Sequence, residues 1–217
     1  MPHAVVTGLP LRPELVDLDR AGRRAAAREA FGLDPERPTL LVFGGSQGAK
    51  RINDAATAAA GALTRAGIQV LHAAGSKNAD AVAAAVPGDL SAPYAVRAYI
   101  DDMPMAYAAA DLALCRAGAM TCAELSAVGL PAAYVPLPIG NGEQRLNAEP
   151  VVAAGGGLLV DDADCTPDWV RRVLLPLLAD PASLHSMGEA ATRFVVPDAD
   201  ERLADLVLSA AAQRDRS

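Results

Sequence analysis

Aromatic residues are scarce, with Phe, Tyr and Trp together making up 4% of the 217 residues. Any core must be built from Ala, Val and Leu, and stacking platforms for single-stranded nucleic acid, which rely on aromatic rings, are excluded. A concentrated stripe of Lys and Arg is also missing, and the net charge is −7. A phosphate backbone needs a positive face, so nucleic acid is not an expected partner. The three cysteines, Cys115, Cys122 and Cys165, form no C-x-x-C pair. So sparse and odd a set suits a reducing compartment better than a disulfide framework. No apolar run approaches the roughly 20 residues that span a bilayer, and the N-terminus has neither a charged n-region nor a long h-region. A soluble, cytoplasmic protein is expected.

What is present is an ordinary globular composition, 52% hydrophobic and 21% charged. The length suits one large domain and is short for two independent ones. Short apolar runs alternate with longer segments of helical period. Strands are predicted at Leu40–Phe43, Gln69–Ala73, Tyr94–Ala98, Asp111–Cys115, Ala132–Val135 and Gly157–Val160. In Ala49–Ala66, residues Ile52, Ala56, Ala59, Ala60 and Leu63 share one helical face. Strands that are apolar throughout are buried on both faces, as in a parallel sheet between helix layers. The β-α-β-α order with short joints then predicts a doubly wound, mostly parallel, Rossmann-like α/β fold.

The two ends read differently. Residues 1–37 hold one polar, Arg- and Ala-rich helix, Arg20 to Ala30, and read as a linker or edge segment outside the core. Residues 38–196 form the binding domain, and 197–217 a C-terminal helix and tail. Pro197 and the acids Asp198, Asp200 and Glu201 favour a helix start. Leu203, Leu206, Val207 and Ala210 give that helix a face to bury. Pro150 is expected to begin a second helical piece, since proline does not continue a helix interior.

Three segments could carry chemistry. Phe43-Gly44-Gly45-Ser46-Gln47-Gly48-Ala49 joins a strand to a helix. Glycines allow a tight turn, and the helix start offers free N–H groups and a positive dipole end, a cradle for a diphosphate. A G-x-G-x-x-G pattern with an acid after the second strand is absent, as is a P-loop Gly-Lys-Ser/Thr. The competing reading is a tight turn without a ligand. In Cys115-Arg116-Ala117-Gly118-Ala119-Met120-Thr121-Cys122-Ala123-Glu124, a second strand again runs through Gly into a helix. Thr121 lies in its first turn, and Glu124 lies three residues on, on the same side. A carboxylate there can accept both hydroxyls of a ribose, although it could equally cap the helix. In Val135 to Ala148, a Pro- and Gly-rich loop delivers Gln144 and Asn147, amides suited to sugar hydroxyls or to ordinary loop capping. All three loops follow carboxyl ends of strands, which in an open α/β sheet line one crevice.

Together these segments resemble the C-terminal domain of MurG-type transferases, the GT-B enzymes that move N-acetylglucosamine from UDP-GlcNAc to the lipid-linked muramoyl-pentapeptide of peptidoglycan. The resemblance rests on Gly44-Gly45-Ser46-Gln47-Gly48-Ala49, Tyr99-Ile100-Asp101-Asp102-Met103, Cys115 to Ala119 with Thr121 and Glu124-Leu125, Gly129-Leu130-Pro131, Val135-Pro136-Leu137-Pro138, and Gln144 with Asn147-Ala148. It implies UDP-GlcNAc contacts from Arg12, Gly45, Ser46, Gln47, Ile100, Ala119, Met120, Thr121, Glu124, Gln144 and Asn147. Ser46 would meet the diphosphate and Ile100 the uracil through its backbone. Residues from Ala119 to Glu124 would hold phosphate and ribose, and Gln144 the sugar hydroxyls. Asn147 would support the loop. Leu9 and Glu143 depart from the family pattern at the sugar end. The resemblance also implies no cofactor or metal. It further implies an N-terminal, acceptor-binding domain outside this chain, which would carry the catalytic base and the lipid-linked acceptor. The whole enzyme would then sit peripherally on the inner face of the membrane, and this half alone would be inactive. A UDP-GlcNAc 2-epimerase-like enzyme, another sugar transferase or a non-catalytic nucleotide module are the alternatives. His72, at a buried strand end, reads as core or as support behind the site; His3 and His185 are remote in sequence from the three loops.

Overall fold

The computed structural model describes residues 4–45, 49–196 and 198–214. Six strands, β1 (Thr39–Phe43), β2 (Gln69–Ala73), β3 (Tyr94–Arg97), β4 (Leu112–Cys115), β5 (Ala132–Tyr134) and β6 (Gly157–Leu159), form one sheet. Their order is β3-β2-β1-β4-β5-β6 and every pairing is parallel. The direction of winding reverses between β1 and β4, the switch point where open α/β sheets bind ligands. The strands also end in register: Arg97, Ala73, Phe43, Cys115, Tyr134 and Leu159 make one row across the sheet. The loops that follow start from a common level.

Between and after the strands run α1 (Pro13–Val16), α2 (Arg20–Ala30), α3 (Lys50–Arg65), α4 (Ala79–Ala85), α5 (Met103–Ala109), α6 (Ala119–Ala127) and α7 (Glu143–Ala153). Then follow α8 (Pro167–Trp169), a π-type turn (Val170–Leu174), α9 (Leu175–Leu178), α10 (Pro181–Thr192) and α11 (Ala199–Arg214). Successive strand residues point to opposite faces and feed two separate cores. Leu41, Phe43, Leu71, Ala113, Cys115 and Tyr134 pack with Tyr107 of α5, Leu125 of α6 and Val151 of α7. Leu40, Val42, Val70, Leu112 and Leu114 pack instead with Ile52, Ala56, Ala59 and Leu63 of α3 and with Val170 and Leu174. The small side chains of α3 let that helix lie close on the sheet, which is how a core with few aromatics closes.

Two expectations need correction. The segment before β1 is no linker. α2 packs on α5, and Leu15, Ala27, Arg28 and Leu33 are buried. Two of its arginines, Arg20 and Arg28, reach backbone carbonyls inside the fold. Arg20 donates to the carbonyls of Tyr107, Ala110, Val128 and Gly129 at 2.7–3.3 Å, capping the carboxyl ends of α5 and α6. Such ends carry partial negative charge that a guanidinium offsets. Pro150, likewise, does not start a new helix but lies inside α7. It sits on the exposed side beside Ala148 and Val151, which are buried. Packing of those two holds the helix together, and the carbonyl of exposed Leu146, deprived of its donor, can turn to water. The last helix keeps uncovered the apolar face that the sequence gives it. Leu203, Leu206, Val207 and Leu208 of α11 are 41–67% exposed, so its apolar face is not buried by the described residues. Pro197, expected at its start, lies outside them.

Candidate functional site

Four loops meet above the row of strand ends. Gly45 follows β1 with φ +81°, a left-handed conformation that favours glycine; a Cβ there would meet nothing within 4 Å, so conformation and not crowding requires it. Ser46 and Gln47 lie outside the described residues. After β4, Gly118 begins α6 without any side-chain cap, and the first helical bond runs from the Cys122 N–H to the Gly118 carbonyl at 2.9 Å. The preceding N–H groups, of Ala119, Met120 and Thr121, have no carbonyl of their own helix to reach, which leaves them for an anion.

Glu124 is half-buried one turn into α6. It does not cap the helix. Its Oε2 accepts a 2.7 Å hydrogen bond from the hydroxyl of Tyr107, a buried residue of α5. Burial, and then the Glu124 charge, push the Tyr107 phenol far above its usual range, so it remains a donor. Gly45, Ile100, Thr121 and Glu124 line one cleft of about 160 Å³, together with Phe43, Gly75, Tyr99 and Tyr107. Ile100 buries its side chain, while its N–H and carbonyl make no backbone hydrogen bond among the described residues. An uncommitted donor–acceptor pair at the cleft wall can read the edge of a base.

Gln144 and Asn147 serve this site from behind. The Gln144 Oε1 accepts from the N–H groups of Ala117 (3.1 Å) and Leu137 (3.0 Å), and Asn147 Nδ2 donates to the Ala117 carbonyl at 3.1 Å. The two amides thereby clamp the turn into α6. Among the described residues, the Nε2 of Gln144 and the Oδ1 of Asn147 take no part in these bonds. Neither residue lines the 160 Å³ cleft, nor do exposed Met120 and Arg12. Asn147 and Ala119 instead line an adjoining, mostly apolar groove with Leu9, Phe194 and Val196. Arg116, at the end of β4, bonds the carbonyls of Val135 and Pro136 and pairs with Asp162 at 2.6 Å, tying the second loop to the third.

His72 proves to be part of a support. Asn53 of α3 donates through Nδ2 to the Ala74 carbonyl at 2.9 Å, so its Oδ1 is the acceptor for His72 Nε2 at 3.0 Å. That assigns the ring proton to Nε2 and leaves Nδ1 to accept from the Tyr94 hydroxyl at 2.9 Å. Burial lowers the His72 pKa from 6.5 to about 4, keeping it neutral. The network holds the start of α3, just after the glycine loop, against the end of β2. Sequence reasoning missed Asn53 and Tyr107. The available signal was their polarity on faces otherwise apolar, since buried amides and phenols require partners. Cys115 and Cys122 are free and buried, and burial pushes the Cys122 thiol up to about 12, so neither is a nucleophile.

The family model for the glycosyltransferase family 28 C-terminal domain matches residues 39–203. The chain belongs to this family. A similar relative is the UDP-N-acetylglucosamine–N-acetylmuramyl-(pentapeptide) pyrophosphoryl-undecaprenol N-acetylglucosamine transferase of Streptomyces avermitilis, 60% identical over 209 residues. The alignment covers 96% of this family 28 chain and 57% of that relative. The protein of the same name from Streptomyces coelicolor is 59% identical, again with 96% and 57% covered. Among solved structures, MurG of Acinetobacter baumannii superposes with a TM-score of 0.75 at 28% identity, over 90% of this chain and 55% of that one. The family 28 domain thus spans little more than half the length of the proteins it matches.

Proposed function

We propose that this chain is the donor-binding half of a UDP-N-acetylglucosamine transferase acting on undecaprenyl-diphospho-muramoyl-pentapeptide. The observation that carries the reading is the cleft at the sheet's switch point. It places a left-handed glycine, an uncapped helix start and the Glu124 carboxylate around one space. The uracil would lie against Ile100 and Tyr99, the ribose diol on Glu124, and the diphosphate between the starts of α3 and α6. Ser46, Gln47, Ala119, Met120 and Thr121 would meet the phosphates, and Gln144 Nε2 and Arg12 the sugar side. At about 160 Å³ the cleft falls below the roughly 300 Å³ of a whole small-ligand site, as suits a base and ribose with the remaining ligand under a second wall.

The chemistry assigned to this half is leaving-group stabilisation. A single displacement at the anomeric carbon breaks its bond to the diphosphate, and the two helix starts stabilise the charge that develops there. Activation of the acceptor hydroxyl belongs to an N-terminal domain. That domain would cover the adjoining groove and the exposed face of α11, and would hold the lipid-linked acceptor at the inner face of the membrane. No helix among the described residues is long and apolar enough to cross a membrane.

Calorimetry with UDP, UDP-GlcNAc, UDP-glucose and TDP-glucose tests the reading. Binding of UDP and UDP-GlcNAc, ahead of UDP-glucose and TDP-glucose and without turnover, is expected. Adding the N-terminal domain in trans should tighten UDP-GlcNAc binding and protect α11 from hydrogen exchange. Transfer to a lipid-linked acceptor by this chain alone would refute the division of labour.

A further inference from the structure

The nucleoside end of the cleft contains one contact that the donor-site reading does not require. Tyr107 is 1% exposed, yet it brings a polar group to the cleft, and its hydroxyl donates to Glu124 Oε2 at 2.7 Å. No other partner of that hydroxyl occurs among the described residues, and Glu124 Oε1 receives no hydrogen bond from them. The Tyr107 ring is itself held, packed at 6.3 Å and 53° against Phe43, the residue that ends β1 before the glycine loop. One oxygen of the carboxylate is therefore tied to the rigid floor of the site. The other is left for whatever enters.

A glutamate side chain has freely rotating bonds, and ordering it on a ligand costs entropy. Here part of that ordering precedes binding, because one carboxylate oxygen is already held from below. A fixed carboxylate with one uncommitted oxygen and one spare lone pair on the other matches two adjacent hydroxyl donors. Loss of either donor leaves a desolvated acceptor unmatched, a larger penalty than the loss of a contact made by a mobile surface side chain.

We propose that Tyr107 is a positioning residue that presets Glu124 for a vicinal diol, so that the site selects ribonucleoside over 2′-deoxyribonucleoside diphosphates. This rests on the donor-site reading above. The role of Tyr107 is indirect: it need not touch the nucleotide, and its effect appears as selectivity.

Titration calorimetry of the whole chain with UDP and 2′-deoxy-UDP, on wild type, Tyr107→Phe and Glu124→Gln, provides the test. Tyr107→Phe keeps the ring on Phe43 and removes only the hydroxyl. Wild type should prefer UDP by about tenfold, the usual scale for one well-placed polar contact. Tyr107→Phe should weaken UDP by roughly five- to tenfold and leave 2′-deoxy-UDP nearly unchanged, so that the ratio falls towards one. Combining it with Glu124→Gln should add little. Equal weakening of both nucleotides, or no weakening of either, would make the hydrogen bond purely structural and overturn the proposal. Should Tyr107→Phe not fold, wild type with 2′-deoxy-UDP and 3′-deoxy-UDP still decides, because a preset diol acceptor must lose affinity for both. Wild type that binds UDP and its deoxy forms equally well refutes this inference alone. Failure to bind any of them refutes the donor-site reading as well.

Discussion

The two ends of the sheet both offer hollows lined with polar groups, and they differ in what those groups are free to do. At the amino end a groove of about 590 Å³ runs between α2 and α10, lined by Arg20, Arg24, Arg28 and Asp111. It is the larger by far, yet Arg20, Arg28 and Asp111 are committed, although the buried Nε of Arg24 has no hydrogen-bond partner among the described residues. Arg20 is bonded to four carbonyls, and Arg28 holds the carbonyls of Ala109 and Pro35 at 2.9 and 2.7 Å and Asp111 at 2.7 Å. Asp111 also accepts from the Thr39 N–H at 2.7 Å, so the cluster joins α2 to the starts of β1 and β4. At the carboxyl end the hollow is smaller, but among the described residues an uncapped helix, the backbone of Ile100 and one oxygen of Glu124 remain uncommitted. On the donor-site reading proposed above, function follows unspent hydrogen-bonding capacity rather than hollow size.

The sharpest way to break this contrast is to exchange the consequences of mutation at the two ends. Asp111→Ala would strand the buried Arg28 guanidinium and the Thr39 N–H. Stability should fall by about 3–5 kcal/mol, with UDP affinity of the folded fraction unchanged. Urea denaturation and calorimetry on the same preparation check both halves of that statement. A loss of affinity at unchanged stability would place a ligand function at the wrong end.

Acid should act next most strongly, through His72. Its folded pKa of about 4 lies below its ordinary 6.5, so the unfolded chain takes up its proton first as pH falls. The stabilisation is complete above about pH 6.5 and is lost as pH drops towards 4, by roughly 3 kcal/mol in full at ~1.4 kcal/mol per unit. His72→Phe should lose that slope between pH 6.5 and 4, whatever it costs at neutral pH. Identical slopes in variant and wild type would show that the ring does not titrate in this window.

Glu124→Ala sits at the other end of the comparison. Losing a charge-assisted bond to the ribose should cost about 1.5–3 kcal/mol, or about tenfold to a hundredfold in UDP affinity. Stability should fall too, by about 1–3 kcal/mol, because the buried Tyr107 hydroxyl loses its acceptor. A drop in melting temperature with affinity retained would return Glu124 to a structural role. The smallest effect is expected at α11. Leu206→Ser with Val207→Ser should change the stability of this chain by about 0.5 kcal/mol or less, because both side chains are already exposed. A larger loss would mean that the helix face is covered after all.

Much of this was readable in one dimension. Runs such as Thr39–Phe43 and Leu112–Cys115 are apolar without alternation, which specifies a two-sided parallel sheet, and glycines at Gly45 and Gly118 punctuate strand-to-helix joints. Apolar periodicity and backbone conformation are local properties, so a sequence declares them. The same reasoning marked Glu124 but left its role open between a helix cap and a ligand contact. The packing of α5 beneath α6 removed the cap from that pair, by bringing Tyr107 across 17 positions to its Oε2, and the ligand contact is the reading proposed above. The helix of Arg20 and Arg28 read as part of a linker or edge segment for a related reason: a polar side chain does not reveal whether its partner will be water or a carbonyl 80 to 110 residues away. Pro150 broke a local rule because burial of its neighbours outweighed one lost hydrogen bond. The sequence by itself determined the layers, the strand ends and the loops that meet there. Which polar groups spend their hydrogen bonds on the fold and which stay uncommitted among the described residues emerged only on packing, because that depends on partners distant along the chain.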